Sequence, residues 1–373
     1  MSSNGIFALS FHADYQCRHS GACCTADWDV PIELPVYRSL KEAVARDQLR
    51  VAPSAAPLPA FIVEPDLPGG AAAVLERDER GHCVFFERDS SLCIVHRDLG
   101  EPMLPATCRH FPRVAVRDRR GTFITLSHYC PTAASMLFRD VPIEIVASPS
   151  AFPEADYEGL VITDEDLPPL LSPQMVMDLD GYSAWERHMV ARCADADSRP
   201  ESALATLKRD AHLLRAWTPG LMTLAEAIER LPREAVDHTP RDTLASSLRL
   251  HVEVMDAVPD DQRPLRDDRG LEDSLRAHVE PVWEEFRRPM NRFLAAKAFA
   301  SWTAYQGRGV RTIVRGLEAA YAVVRVEAAR QCRDAGRRLD ADLLREAFRG
   351  ADFALNHLAV GEDLAKAWSA AES

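Results

Sequence analysis

The stretch CRHFPRVAVRDRRGTFITLSHYC, Cys108–Cys130, carries the first reading of the fold. Val114-Ala115-Val116-Arg117 and Thr122-Phe123-Ile124-Thr125-Leu126 are apolar-rich runs of strand character. Asp118-Arg119-Arg120-Gly121 between them has the composition of a turn. The pattern predicts an antiparallel hairpin whose open ends lie together, which would make Cys108 and Cys130 neighbours in space. Upstream, Cys83-Val84-Phe85-Phe86 reads as a strand, Asp89-Ser90-Ser91 as a turn and Cys93-Ile94-Val95 as the return. Further upstream stand Cys17 and the doublet Cys23-Cys24. Residues 17–130 therefore hold seven of the nine cysteines, and turns deliver several of them in pairs.

Seven thiols in a third of the chain admit disulfides, a metal site or reactive nucleophiles. Disulfides need an oxidising compartment. The N-terminus MSSNGIFALSFHADYQC has no basic region, apolar core or small-residue cleavage site of a secretory signal, so a cytoplasmic protein is expected. Metal or iron–sulfur ligation is the reading that the spacing favours, with Cys17, Cys23, Cys24, Cys83, Cys93, Cys108 and Cys130 as candidate ligands. A structural zinc ion takes four ligands, and an iron–sulfur cluster takes about four thiolates. The spacing matches neither a zinc ribbon nor a ferredoxin, so zinc and an iron–sulfur cluster (4Fe–4S being the expected form) both stay open. Seven thiols overfill one such site. His96 is the best nitrogen candidate, although packing or surface polarity is the simpler role for each of His96, His110 and His128. Arg109 is the candidate cofactor-binding cation, because a guanidinium offsets thiolate charge. Arg117, Arg119 and Arg120 read as a solvated hairpin tip.

These elements resemble the zinc- or iron-chelating cysteine-cluster (YkgJ-type) family. The matching residues are Cys23-Cys24 after Cys17, the Cys83…Cys93 pair, and Pro105-Ala106-Thr107-Cys108-Arg109-His110-Phe111-Pro112. Leu99-Gly100-Glu101, Leu104, Thr107-Cys108-Arg109 and Phe111-Pro112-Arg113, with Cys130-Pro131 and Ala133-Ala134, look more specifically like flagellin lysine-N-methylases. The match covers residues 17–134; over 180–373 it rests on helical layout. One departure stands at His96-Arg97-Asp98-Leu99, where the broader family often has Tyr and Arg-Pro. The family resemblance implies metal or iron–sulfur binding. The narrower one implies methyl transfer from S-adenosylmethionine to a lysine of a protein substrate such as flagellin.

Along the rest of the chain, 373 residues suffice for two or three domains. A net charge of −13 argues against a general nucleic-acid binder. No apolar run approaches the ~20 residues of a membrane span. Phe7, Leu9 and Phe11 alternate as a strand would, and Leu34–Leu49 shows a short helical pattern. Pro, Gly and Ala mark 51–70 as loop. The expected division is a cysteine-cluster domain over 1–140, a linker over 141–180 and a helical domain over 181–373. The fold class expected is mainly α, with a small irregular α+β cysteine-rich metal-binding N-terminal domain and a helical C-terminal bundle.

In the second half, Thr223-Leu224-Ala225-Glu226 is a capping box and Thr239-Pro240 a helix start. Stripes at helical spacing run through Leu244, Leu248, Val252 and Met255, through Val310, Ile313, Val314, Leu317, Tyr321 and Val324, and through Leu344, Ala347, Phe348, Ala351, Leu355 and Leu358. They read as bundle core, as do Trp283, Phe286, Trp302 and Tyr305. Cys193 and Cys332 read as small buried hydrophobes. No Rossmann fingerprint, P-loop or serine-hydrolase motif is present. Three functions compete: a lysine-modifying enzyme, a metal-stapled binding scaffold, and a redox or metal-handling protein.

Overall fold

The computed structural model describes residues 5–370 except 27, 54–57, 65–66, 68–69, 154, 156, 158, 164, 196–197, 238–243, 265–266 and 307–308. The expected helix start at Thr239-Pro240 lies outside the described residues.

β1 (Ile6–Leu9) opens the chain, and a 3-10 turn at Ala22–Cys24 follows. β2 (Pro31–Ile32) leads into α1 (Leu34–Ala45), whose first turn holds Pro35, where a missing N–H costs nothing. β3 (Phe61–Ile62) and β4 (Ala73–Leu75) complete a small antiparallel sheet in the order β2-β4-β3. β5 (Phe86–Glu87) and β6 (Leu92–Cys93) pair with Phe86 opposite Cys93. The return strand is shorter than expected, because Ile94 and Val95 already begin α2 (Ile94–Leu99). After α3 (Ala106–His110) comes the expected hairpin, β7 (Arg113–Asp118) and β8 (Gly121–Leu126). Arg113 faces Leu126 at its open end and Asp118 faces Gly121 at its tip. α4 (Pro131–Met136) follows.

Residues 141–180 do more than link. β9 (Ile145–Ala147) pairs antiparallel with β1, and β10 (Gly159–Val161) pairs parallel with β7. The resulting sheet has the order β10-β7-β8-β1-β9, with β1 and β8 parallel. Gly159 is obligatory at its edge: at φ +155° an added Cβ would lie 2.0 Å from the Ala115 carbonyl oxygen. β11 (Leu170–Ser172) and β12 (Met175–Val176) form a last two-stranded ribbon.

The helical half comprises α5 (Leu179–Ala194), α6 (Pro200–Leu214), α7 (Leu224–Glu229), α8 (Leu244–Asp256), α9 (Leu271–Ser274), α10 (Arg287–Ala298), α11 (Thr303–Gln306), α12 (Val310–Ala335), α13 (Ala341–Phe353) and α14 (Gly361–Ala370). The capping box forms as read, Thr223 accepting from Glu226 N–H and Glu226 reaching back to Thr223 N–H. α12 is the axis, packed by α13, α8, α6 and α10, and its whole apolar stripe from Val310 to Val324 is buried. α8 is rotated from expectation. Its buried face is Leu244, Ser247, His251 and Val254, while Leu248 and Met255 are only partly covered. Cys193 and Cys332 are fully buried, as expected of small hydrophobes. No helix is long and apolar enough to cross a membrane among the described residues.

The expected fold class needs correction. The chain is about half helical and carries four sheets among the described residues, so it is not mainly α. Nor does its N-terminal part stand as a cysteine-rich metal-binding domain. Among the described residues no group of three or more His, Cys, Asp or Glu is placed to hold a metal ion. Apolar burial organises that part instead. Val30, Ile32, Leu40, Leu75, Phe85 and Val95 form one core there, and Ile6, Tyr15, Ile124, Ala133 and Phe152 another. Each fully buried Leu, Ile or Phe contributes about 1.5–3 kcal/mol. The largest core joins Leu9, Phe11, Val116 and Phe123 to Trp185, Phe293 and Phe348, and so crosses from the sheet into the bundle.

Candidate functional site, a thiol cluster

The 3-10 turn at Ala22–Cys24 and the β5–β6 hairpin bring thiols from distant parts of the chain together. The backbone N–H of Cys83 donates to the Cys24 carbonyl at 2.8 Å, which ties the two loops. Cys23 Sγ and Cys24 Sγ lie 3.9 Å apart. The Cys24 thiol also acts electrostatically on Cys93. Cys24 thus touches Cys23, with Cys93 and Cys83 within electrostatic reach of the pair.

Cys24 separates the protonation of its neighbours. The Cys24 thiol pulls the Cys93 thiol down to about 7 against the opposing effect of burial, and the backbone N–H groups of His96 and Val95 add to it. Cys93 occupies the N-cap position of α2 without a side-chain cap hydrogen bond, close to N–H groups that have no helical partner. The same Cys24 thiol lowers Cys23. Cys24, set beside Cys23 and Cys93 and buried, is raised well above the ordinary thiol value. Burial pushes Cys83 up to about 12. One corner of the molecule therefore holds two thiols inclined to ionise and two that keep their protons.

The other predicted residues lie around this group. Cys17 is exposed, and its Sγ accepts from the His19 N–H at 3.4 Å. Cys130 is buried, 3.6 Å from the Tyr15 hydroxyl. Cys108 is half-buried against the core of Val30, Ile32 and Phe85, whereas Cys130 belongs to the core of Ile6 and Tyr15. The hairpin forms, yet its two flanking cysteines pack into different cores. Arg109 lies half-buried in the last turn of α3, its carbonyl accepting from Arg113. His96 packs its ring against His19, and His110 against Tyr157. Arg120 is no solvated tip residue. Its side chain is 10% exposed, bound to Asp118 and Glu186, and sandwiched between the rings of Phe123 and Tyr182.

No family model, no curated protein and no solved structure matches the chain. The site is therefore read from its own geometry.

Two features beside the thiols escaped the sequence. Trp28, Phe111, Tyr129, Phe353 and His357 form a cluster of rings, with Trp28 and His357 centroids 4.6 Å apart and Tyr129 and Phe353 4.8 Å apart. Tyr129 lies within electrostatic reach of Cys23. The second is a buried polar chain in which Lys297 Nζ pairs with Asp352, Asp352 Oδ2 is 3.0 Å from His128 Nδ1, and His128 Nε2 is 3.3 Å from His12 Nε2. The carboxylate can only accept, so His128 carries its proton on Nδ1 and accepts at Nε2 from His12. Ser127 and His357 meet alongside at 2.7 Å. These partners are more than fifty residues apart in sequence, and no local pattern announces them.

Proposed function

We propose that Cys23, Cys24, Cys83 and Cys93 are the working centre of the protein and hold a thiophilic group, a zinc ion or an iron–sulfur cluster. The observation that carries this reading is the contact of Cys23 and Cys24 at 3.9 Å, with Cys83 and Cys93 of a separate loop within electrostatic reach of them. The donors fit in kind. The separation of two sulfurs bound to one zinc, at Zn–S of about 2.3 Å in a tetrahedron, is about 3.8 Å. Cys23 and Cys24 stand close to that at 3.9 Å. They do not yet aim at one point among the described residues. When bound, such a group supplies either Lewis acidity or electron transfer. Of the four thiols Cys83 is the one that burial holds most firmly protonated, so a bound group would have to displace that proton.

The activity attached to this centre is the one the resemblance implies, transfer of a methyl group from S-adenosylmethionine to lysine of a protein substrate, flagellin being the first to assay. The attacking lysine must lose its proton, because an ammonium has no lone pair.

The test is anaerobic purification of the full chain, with metal analysis, visible absorption and a labelled S-adenosylmethionine assay on flagellin. Stoichiometric zinc, or iron with sulfide and brown absorption, is expected, and should be lost in Cys24→Ser and Cys93→Ser proteins that still fold. A wild-type chain that binds neither group after reconstitution overturns the centre. A loaded chain that neither binds S-adenosylmethionine nor labels flagellin overturns the methyl-transfer reading and leaves a metal-bearing scaffold.

A further inference from the structure

A cavity of about 380 Å³ lies where residues 140–144, which lead into β9, meet the end of α5 and the first turns of α10. None of the four proposed thiol ligands lines it. Two consecutive residues of α10 do, and each leaves a buried polar atom without a partner among the described residues. Asn291 is 2% exposed. Its amide nitrogen donates to the carbonyls of Asp195, at 3.3 Å, and Ser198, at 2.9 Å, which leaves Oδ1 as an unused acceptor. Arg292 is 6% exposed. Its guanidinium donates to the carbonyls of Leu137, at 3.3 Å, and Val141, at 2.9 Å, and its Nε is an unused donor.

The charges around the cavity do not cancel where they stand. Arg288 and Asp140 are exposed and pair with each other at 3.2 Å. One cation and one carboxylate remain. Arg292 is bonded to carbonyls, which carry no net charge, and has no ion pair among the described residues. Burial lowers its guanidinium against the pull of Asp140. A buried cation without a counter-charge is costly, and here none is supplied by the chain. Glu144, on the same lining, is exposed and likewise has no ion pair among the described residues. Val141, Ile143 and Ala194 supply an apolar stretch of wall.

We infer that this cavity binds an α-amino acid with an aliphatic side chain. A carboxylate gives Arg292 the counter-charge that its carbonyl partners lack, in the planar form that a guanidinium fork matches. The α-ammonium has three protons to donate, and Glu144 with Asn291 Oδ1 supplies acceptors for them. A simple anion would answer Arg292 and be repelled by Glu144, and a simple cation would do the reverse. A zwitterion meets both. The aliphatic side chain covers Val141, Ile143 and Ala194, and the volume falls within the range of small-molecule sites. The site stands whether or not the thiol centre holds a metal.

The experiment is titration calorimetry of the full chain at low salt with L-leucine. The controls are 4-methylpentanoate, which lacks the ammonium, and 3-methylbutylamine, which lacks the carboxylate. Saturable binding of leucine is expected. Each control should bind at least about tenfold more weakly, because each forfeits a charge-assisted contact. Glu144 is exposed, so an E144Q protein should keep the wild-type melting curve. It should weaken leucine about tenfold and leave 4-methylpentanoate no weaker than before. Val141 is 37% exposed, so V141W should also fold, and its larger side chain should exclude leucine from the cavity. Absence of leucine binding to the wild type, binding of 4-methylpentanoate as tight as that of leucine, or unchanged leucine affinity in E144Q or in folded V141W overturns the inference.

Discussion

Asp352 has no exposed surface and faces three partners: the Lys297 ammonium, the His128 ring and the His128 backbone N–H. Burial alone would raise its carboxyl, but Lys297 and His128 outweigh burial and hold it well below the usual carboxylate range. Removing it leaves a buried cation without its counter-charge, so Asp352→Ala should cost about 3–5 kcal/mol in urea denaturation. Burial also keeps the neighbouring rings neutral: His12 and His128 are lowered, and His357 falls to about 4. An unfolded histidine titrates at about 6.5, so the unfolded chain binds more protons as pH falls below that value. Stability from these rings is full above about pH 6.5 and is lost as pH falls toward 4. His357 alone should account for up to about 3 kcal/mol of that loss, and a His357→Gln protein should show a flatter stability profile. At the thiols, Cys24→Ala removes the thiol that lowers Cys93. The Cys93 thiolate fraction at pH 7 should fall by more than about tenfold, read as slower alkylation by iodoacetamide followed by peptide mapping.

The β7–β8 hairpin is the element that ties the two halves of the chain. Its tip is fastened into the bundle by Arg120, which lies 4.2 Å from the Phe123 ring centroid and 4.3 Å from that of Tyr182. Asp118 and Glu186 neutralise it, Tyr305 donates to Asp118, and Glu186 accepts from the Ala300 N–H. Every charge in this latch has a partner, which makes it structural. Arg120→Ala should destabilise the protein by about 3–5 kcal/mol, since two buried carboxylates lose their counter-charge. Arg117→Ala on the same hairpin, one strand position away from the latch, is the comparison. Equal effects of the two would argue against the latch. The alternation of apolar residues announced the hairpin, because a two-residue period and a polar turn are local properties. The burial of its tip was not announced, since the carboxylate of Glu186 and the ring of Tyr182 come from a helix about sixty residues away.

At the scale of the whole molecule, the sheet and the bundle share one core. Leu9, Phe11, Val116 and Phe123 pack in the same cluster as residues of α5, α10 and α13. β9 and β10, which complete the sheet, come from 145–161. A chain ending at 140 would lose both flanking strands and expose this apolar face. Residues 1–140 and 181–373 expressed apart should therefore aggregate, and the intact chain should melt in one calorimetric transition. Chelation should leave near-ultraviolet circular dichroism of the intact chain in place, because apolar cores hold the N-terminal part. Reconstitution with the bound group should raise Tm by mass action.

The sequence by itself determined what depends on neighbours along the chain. It determined the β7–β8 hairpin, the capping box at Thr223, the buried stripe of α12 and the gathering of thiols before residue 130, since strand alternation, capping and helical period are read within a few residues. Tertiary structure alone decided what those elements meet. It turned α8 so that Ser247 and His251 face inward, where the partners of α12 and not its own hydrophobicity set the buried side. It drew 141–180 into the sheet, and it sent Cys108 and Cys130 to different cores although one hairpin joins them. It also assembled the chain from Lys297 through Asp352 and His128 to His12. Burial and charge pairing act through space between residues far apart in sequence, and only the packed chain brings them within reach.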